Sequence, residues 1–244
     1  MIRFHRRGTF DEAILSAVAH EYPLPRRFEP GDVVLDLGCH IGAFAVRAAG
    51  RGARVLGYEA SRENYALARM NTARLPAVEV RWGAVWRSDV PAGTLRFTPH
   101  PDGENTGGGS VLLPDEAAHR RFAALAPGGS GAPRKPPSLA AHEVPAVPLD
   151  GVLRELGRVR LLKLDVEGAE LPILLTARKL GRVDEIVGEL HELSAEQIAL
   201  LPPAARVGDG PYDRDRLGAV LGAAGFAVRF SAGGEGTILF TARR

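Results

Sequence analysis

The 244-residue sequence predicts a doubly wound α/β fold, a mostly parallel sheet into which a C-terminal hairpin inserts one antiparallel strand. Three observations lead there. Short apolar runs alternate with helix-length stretches on both sides of a proline-rich middle. Two of those runs stop abruptly at acidic residues beside a glycine. Near the C-terminus, two strand-like runs are joined by Ala232-Gly233-Gly234-Glu235-Gly236, a short glycine-rich link.

The elements follow in order. An N-terminal helical segment is expected over residues 1–30. Residues 32–37 (DVVLDL) form an apolar run ending at glycine, which reads as a buried strand. A helix over 43–50, a strand over 54–58 and a helix over 61–74 come next. Ser61 stands at the N-cap position, with Asn64 three places on. Residues 78–85 read as a third strand. After the middle segment come a helix over 149–156, a strand over 160–164, a helix over 170–180 and a strand over 185–190. Pro172 falls in the first turn of its helix, where a missing N–H does no harm. A helix over 214–224 precedes the hairpin strands, 227–231 and 237–241.

Nine of the eighteen prolines lie between Pro99 and Pro148. Within that region, 114–137 reads as a Pro/Gly-rich insertion with one short helix over 117–126. The expectation is one domain over 1–244, with this insertion as a candidate cover for a pocket at the strand ends.

Composition narrows the function. With 45% hydrophobic and 25% charged residues the chain is ordinary globular material, not a disordered one. A formal charge of +2, from 31 basic and 29 acidic residues, gives no footprint for nucleic acid. Cys39 is the sole cysteine, which excludes an internal disulfide and a cysteine-based zinc site. No stretch approaches the roughly 20 apolar residues of a membrane span. Asp11 and Glu12 interrupt any signal-peptide apolar region, so a cytoplasmic location is expected.

The first chemical signal is Val33-Val34-Leu35-Asp36-Leu37-Gly38-Cys39-His40-Ile41-Gly42. A strand feeding a glycine turn and then a helix presents backbone N–H groups to a ligand, and Gly38 and Gly42 allow close approach. A dinucleotide site would prefer G-x-G-x-x-G, whose middle glycine admits a pyrophosphate. Here Cys39 and His40 fill the turn and Asp36 precedes it. A carboxylate there repels phosphate and suits an ammonium, which favours S-adenosylmethionine (SAM). Glu59, at the end of the second strand, is placed to accept hydrogen bonds from ribose hydroxyls. Ala60 follows it, and Gly83-Ala84-Val85 could border an adenine. Alternatively Asp36 caps the next helix, Glu59 is a solvated strand end and His40 is a polar turn residue.

The second signal is Leu161-Leu162-Lys163-Leu164-Asp165-Val166-Glu167-Gly168-Ala169-Glu170, a buried strand ending in acids. Ligands in open α/β sheets bind outside the carboxyl ends of strands, so Asp165 and Glu167 should face the crevice. Glu170 begins the next helix and suits its positive end. The following strand ends Gly188-Glu189-Leu190-His191-Glu192. If the two strands are neighbours, Asp165, Glu189 and His191 converge at one rim. His191 has the intrinsic pKa of a general base, with Asp165 or Glu189 to orient it or bind the acceptor. The same oxygen-and-imidazole set could hold a divalent cation, or serve structure alone.

Together these segments resemble the FkbM-type family of SAM-dependent methyltransferases. VLDLGCHIGAF resembles its first motif and Tyr58-Glu59-Ala60-Ser61-Arg62-Glu63-Asn64 its ribose-binding strand end. Val144-Pro145-Ala146-Val147-Pro148-Leu149-Asp150, LLKLDVEGAE and GELHE resemble its second-half signature. The resemblance covers about residues 31–193 and implies a class I methyltransferase (Rossmann-like) fold. It also implies methyl transfer from SAM to a hydroxyl of a small molecule, such as a sugar or secondary metabolite. By position, Asp36, Gly38, Gly42 and Glu59 match its cofactor contacts and Asp165, Glu167 and Glu170 its signature acids. Asn105-Thr106-Gly107-Gly108-Gly109-Ser110 resembles a turn edging the acceptor pocket, which makes Asn105 and Ser110, with Glu167, candidate substrate residues; His40 and Asp165 join the cofactor-binding candidates. Cys39-His40 departs from the family's usual G-A-N.

Three rival readings stand beside this one. An N-methyltransferase could use the same acids. A nicotinamide-dependent oxidoreductase shares the acid after strand two but lacks the second glycine of its motif. A non-catalytic protein with a degenerate nucleotide fold has no reason to keep acids at two strand ends.

Overall fold

The structure is a computed structural model and describes residues 2–125, 140–233 and 237–244. Helix α1 (Asp11–Glu21) precedes β1 (Val33–Leu37), α2 (Ala43–Ala49), β2 (Arg54–Glu59), α3 (Arg62–Thr72) and β3 (Val78–Trp82). The middle holds β4 (Ala84–Trp86), β5 (Gly93–Phe97), α4 (Glu116–Ala124) and β6 (His142–Pro148). The second half runs α5 (Leu149–Leu156), β7 (Val159–Leu164), α6 (Glu170–Thr176), β8 (Val183–Leu190) and α7 (Ala195–Leu200). It ends with α8 (Arg214–Ala223), β9 (Ala227–Ala232) and β10 (Ile238–Arg243).

Seven strands form one sheet in the order β3-β2-β1-β7-β8-β10-β9. The first five are parallel, and β10 runs antiparallel to both β8 and β9. The expected doubly wound sheet with one antiparallel strand is therefore the fold observed. The strand order reverses between β1 and β7, so this is where the topology opens a crevice.

Alternation along the strands builds two core layers. Leu35 and Leu37 pack on one face with Leu56, Tyr58, Leu162 and Leu164. Val34 points to the other face and packs with Phe44, Val55, Leu161 and Val187. All five residues of β1 are buried, as expected of a strand covered on both faces. Each fully buried leucine contributes about 1.5–3 kcal/mol.

The structure corrects several boundaries. The strand expected over 78–85 breaks at Gly83, whose N–H is taken by the Glu59 carbonyl. Beyond it, β4 leaves the main sheet for a second one, ordered β4-β6-β5. Strand β6 was hidden because it carries Pro145 and Pro148, residues that argue against the centre of a sheet. Helix α6 stops at Thr176, four residues short of expectation. Its hydroxyl bonds back to the carbonyls of Pro172 and Ile173, and Ala177 is extended. Helix α7 was not anticipated; Ser194 and Gln197 close it with a capping box.

Within the segment expected to be helical over 1–30, helix occupies only Asp11–Glu21. The chain before it crosses α3, where the Asn71 carboxamide accepts the N–H groups of Arg3 and Phe4. Of the proposed insertion, α4 is described; its remainder, 126–137, lies outside the described residues. No helix among the described residues is long and apolar enough to cross a membrane.

Candidate active site

The carboxyl ends of β1, β2, β7 and β8 open onto a cleft of about 1060 Å³, its open mouth included. Helix α1 closes one side through Ile14, Val18 and Glu21, with Tyr22 just beyond its end.

On the cofactor side the turn after β1 fixes the geometry. Gly38 has φ of 72°, and a Cβ there would lie 1.9 Å from the Asp165 carbonyl oxygen, so only glycine lets β1 and β7 end this close together. Asp165 donates its N–H to the Leu37 carbonyl, 3.3 Å away, across that junction. His40 takes the left-handed conformation and donates its N–H to Glu59 Oε2 at 2.8 Å. Glu59 Oε1 accepts the Ser61 N–H at 2.8 Å. Burial pushes the Glu59 carboxyl above its ordinary pKa, although His40 and these N–H groups pull the other way.

Glu59, Gly38 and His40 line the cleft, as do Ala60, Gly83 and Ala84. Two other residues expected at the cofactor stand elsewhere. Asp36 is fully buried beneath the turn, off the cleft wall, and neither of its carboxylate oxygens has a hydrogen-bond partner among the described residues. Its nearest counter-charge is Lys163 Nζ at 3.7 Å, and burial pushes its pKa up to about 6. Gly42 faces α3, where a Cβ would lie 3.4 Å from the Thr72 side chain.

At the junction of β7 and β8 the charges are densely paired. Lys163 Nζ donates to the Gly38 carbonyl at 2.7 Å and lies 3.1 Å from Asp165 Oδ2. Burial works against its charge, yet Asp165 and Asp36 outweigh that and hold the ammonium above the usual lysine range. In turn Lys163 and His191 overcome burial at Asp165 and lower its pKa. The Tyr22 hydroxyl lies 3.1 Å from Asp165 Oδ2 and 3.2 Å from Glu189 Oε2, and with one proton it serves one of them at a time. Burial, then Asp165, raises the Glu189 pKa.

His191, just past the end of β8, sits between two carboxylates. Its Nδ1 is 3.1 Å from Glu170 Oε1 and its Nε2 is 3.4 Å from Glu167 Oε2. Glu170 is fully buried at the start of α6, and the same Oε1 accepts the N–H groups of Val166 and Gly168. Burial opposes charge on His191, but Glu167 and Glu170 prevail and hold the imidazolium well above the ordinary histidine pKa. Glu167 has φ of 55°, lines the cleft, and is pushed by burial up to a pKa of about 8. His191 itself stands behind Glu167, off the cleft wall.

Asn105 and Ser110 hold the neighbouring loop and do not line the cleft. Asn105 Oδ1 accepts the Gly108 N–H, while Ser110 Oγ donates to the Glu167 carbonyl at 3.2 Å. Gly107 and Gly109 of that loop do line it. Sequence reasoning missed Tyr22, Glu21 and Lys163. Lysine inside an apolar strand was a usable signal, because a buried ammonium needs partners. Nothing local marks Tyr22, which arrives from a helix 143 residues away from Asp165.

The profile of the methyltransferase FkbM domain matches residues 36–207. The chain belongs to that family. The match begins at Asp36 and spans Glu59, Asp165, Glu167, Glu170, Glu189 and His191. The chain is thus a methyltransferase, and its strand order places that activity on a class I, Rossmann-like scaffold. Comparison with curated proteins finds no match. Among solved structures, this methyltransferase is similar to precorrin-6y C5,15-methyltransferase from Geobacter metallireducens, with TM-score 0.47 and 10% identity over 100% of this chain and 94% of that one. It is also similar to a SAM-dependent methyltransferase from Aquifex aeolicus, with TM-score 0.41 and 15% identity over 95% and 87% of the two chains. Likenesses at that level add nothing to the family match.

Asp165, Glu167 and His191 of this methyltransferase present donor atoms within 4.8 Å of one another, a set that could take a divalent cation. Lys163 and His191 already supply positive charge to those acids. For SAM, the chemistry of the wall fits: Glu21, Glu59, Asp165, Glu167 and Glu189 face a space that a sulfonium and an ammonium would enter.

Proposed function

We propose that this methyltransferase uses SAM to methylate a hydroxyl of a small acceptor, such as a sugar or secondary metabolite, and that the chain is one catalytic domain. The observation carrying the reading is Glu167 on the cleft wall, backed by His191 and Glu170, beside a bare glycine turn with Glu59 at its far edge. SAM would lie with its ribose at Glu59 and its adenine against Ala60, Gly83 and Ala84. Asp36 acts from below the turn through Lys163.

SAM supplies an electrophilic methyl carbon on a sulfonium sulfur. With SAM bound, the acceptor oxygen would take that methyl group as the C–S bond breaks, and the chain's part is to hold the two together. The hydroxyl proton passes to the Glu167–His191 pair. Glu167, the member on the wall, takes the proton on its carboxylate, and the His191 imidazolium holds that carboxylate in place across the 3.4 Å contact. Glu170 fixes the imidazole, and Glu189 with Asp165 shapes the acceptor's approach. An acid-rich wall selects a neutral or cationic acceptor over a polyanion.

The test combines calorimetry with SAM and release of S-adenosylhomocysteine over panels of hydroxylated and amine acceptors. Glu59→Ala weakens SAM binding by about tenfold or more, the loss of a charged hydrogen-bond acceptor. His191→Ala leaves SAM binding intact and lowers turnover by about 10²–10⁴-fold. The reverse pattern overturns these roles. Turnover on amines alone gives N-methylation, and loss of turnover with a chelator gives a metal to Asp165, Glu167 and His191.

A further inference from the structure

Outside the stretch matched by the family, one buried carboxylate ties together three segments that surround the cleft. Asp11, the first residue of α1, is fully buried. Its Oδ2 accepts the Arg6 backbone N–H at 2.7 Å and Arg6 Nε at 3.1 Å, while Oδ1 accepts Arg6 Nη2 at 2.9 Å. Thr106, in the loop whose glycines line the cleft, donates its hydroxyl to Oδ1 at 2.7 Å. His40 Nε2, from the cofactor-side turn, lies 3.4 Å from the same oxygen and 3.2 Å from the Thr106 hydroxyl. Burial works against a charged Asp11, but His40 and Arg6 overcome it and hold the carboxyl well below the usual range.

The arrangement is not an ordinary helix cap, because His40 lines the cleft and Thr106 belongs to the loop whose Gly107 and Gly109 do. His40 is the residue whose N–H orients Glu59. Phe10 adds a backbone bond, donating to the Glu104 carbonyl at 2.9 Å just before the same loop. At the other end of α1, Tyr22 reaches Asp165 and Glu189. The helix between these two latches contributes Ile14, Ala17, Val18 and Glu21 to the wall.

We propose that Asp11 is a positioning residue that couples docking of the N-terminal segment to cofactor binding, so that this segment and the Thr106 loop close over SAM together. The proposal rests on the SAM reading above. Linkage requires it to act in both directions: a docked segment tightens SAM, and SAM tightens the segment.

Calorimetry and hydrogen exchange on the full chain test it with two variants, Asp11→Asn and Thr106→Val. The second removes one hydroxyl without stranding a buried charge, so it reads the latch even if the first fails to fold. Each variant is expected to raise the SAM dissociation constant, about threefold to tenfold for Thr106→Val, with turnover at saturating SAM changed less than twofold. In the wild type, SAM is expected to slow amide exchange across residues 2–22, and less so in the variants. SAM affinity within twofold of wild type in folded variants overturns the proposal. Wild-type binding that leaves exchange over 2–22 unchanged also overturns it. A wild-type chain that does not bind SAM overturns the cofactor reading itself.

Discussion

Replacing Gly38 by alanine tests how the cleft is built. An alanine Cβ would lie 1.9 Å from the Asp165 carbonyl oxygen and 3.1 Å from its carbon, both backbone atoms with no rotamer to relieve them. The φ of 72° adds a penalty of about 1–2 kcal/mol for any residue with a Cβ. Forced overpacking adds about 1–3 kcal/mol more, so the total is roughly 2–5 kcal/mol. At about 2–4 °C per kcal/mol for a chain of this size, the melting temperature falls by about 4–20 °C. The functional cost is of similar size. The ends of β1 and β7 must part by roughly 1 Å, and a misplacement of that size costs about 100-fold in rate. Lys163 loses its close bond to the Gly38 carbonyl in the same movement. Differential scanning calorimetry and SAM titration read both effects. Gly151→Ala is the control, because nothing lies within 4 Å of a Cβ there and the residue is in α5. That change should be neutral or stabilise by up to about 1 kcal/mol. A Gly38→Ala protein that melts within about 1 °C of wild type and binds SAM normally would refute the close-approach argument.

Two further outcomes concern buried charge. His119 in α4 is buried, its Nδ1 has no partner among the described residues, and burial lowers its pKa to about 4. The fold therefore favours the neutral ring: stability is full above the unfolded pKa of about 6.5 and is lost as pH falls toward 4, by about 2 kcal/mol at pH 5. His119→Leu should flatten chemical denaturation midpoints between pH 6.5 and 4, and an unchanged slope there would refute the assignment. Lys163→Met removes the cation facing Asp165 and Asp36, and stranding a buried charge costs about 3–5 kcal/mol. Thermal melts at neutral pH should show that loss; a variant as stable as wild type would mean that the acids are neutral without it.

The main sheet was legible because its strands obey local rules. Runs such as 33–37 and 159–164 are apolar, short and stopped by a glycine or an acid, and parallel strands buried on both faces must look that way. The second sheet was illegible for the opposite reason. Strand β6 carries two prolines, and β5 is mostly exposed, so neither gives the periodic signal of a strand. They pair with each other, and β6 also with β4, a nonlocal fact. The break at Gly83 was hidden because one strand-like stretch, 78–86, serves two sheets in succession.

The site shows the same division, and it explains why Asp36 was misjudged in position. Reading a strand end places its last acid in the crevice, but side chains alternate, and Asp36 is not the last residue of β1. Its carboxylate belongs below the turn, where Lys163 from the neighbouring strand answers it. That pairing depends on register: Asp36 lies directly opposite Lys163 in the parallel ladder. A one-residue slip would turn every side chain of β7 to the other face, stranding Asp36 and removing Asp165 from the cleft together. The buried Asp36–Lys163 pair thus penalises the wrong register electrostatically, as apolar burial does hydrophobically. The acids that meet the ligand are therefore set in place partly by one that does not line the cleft.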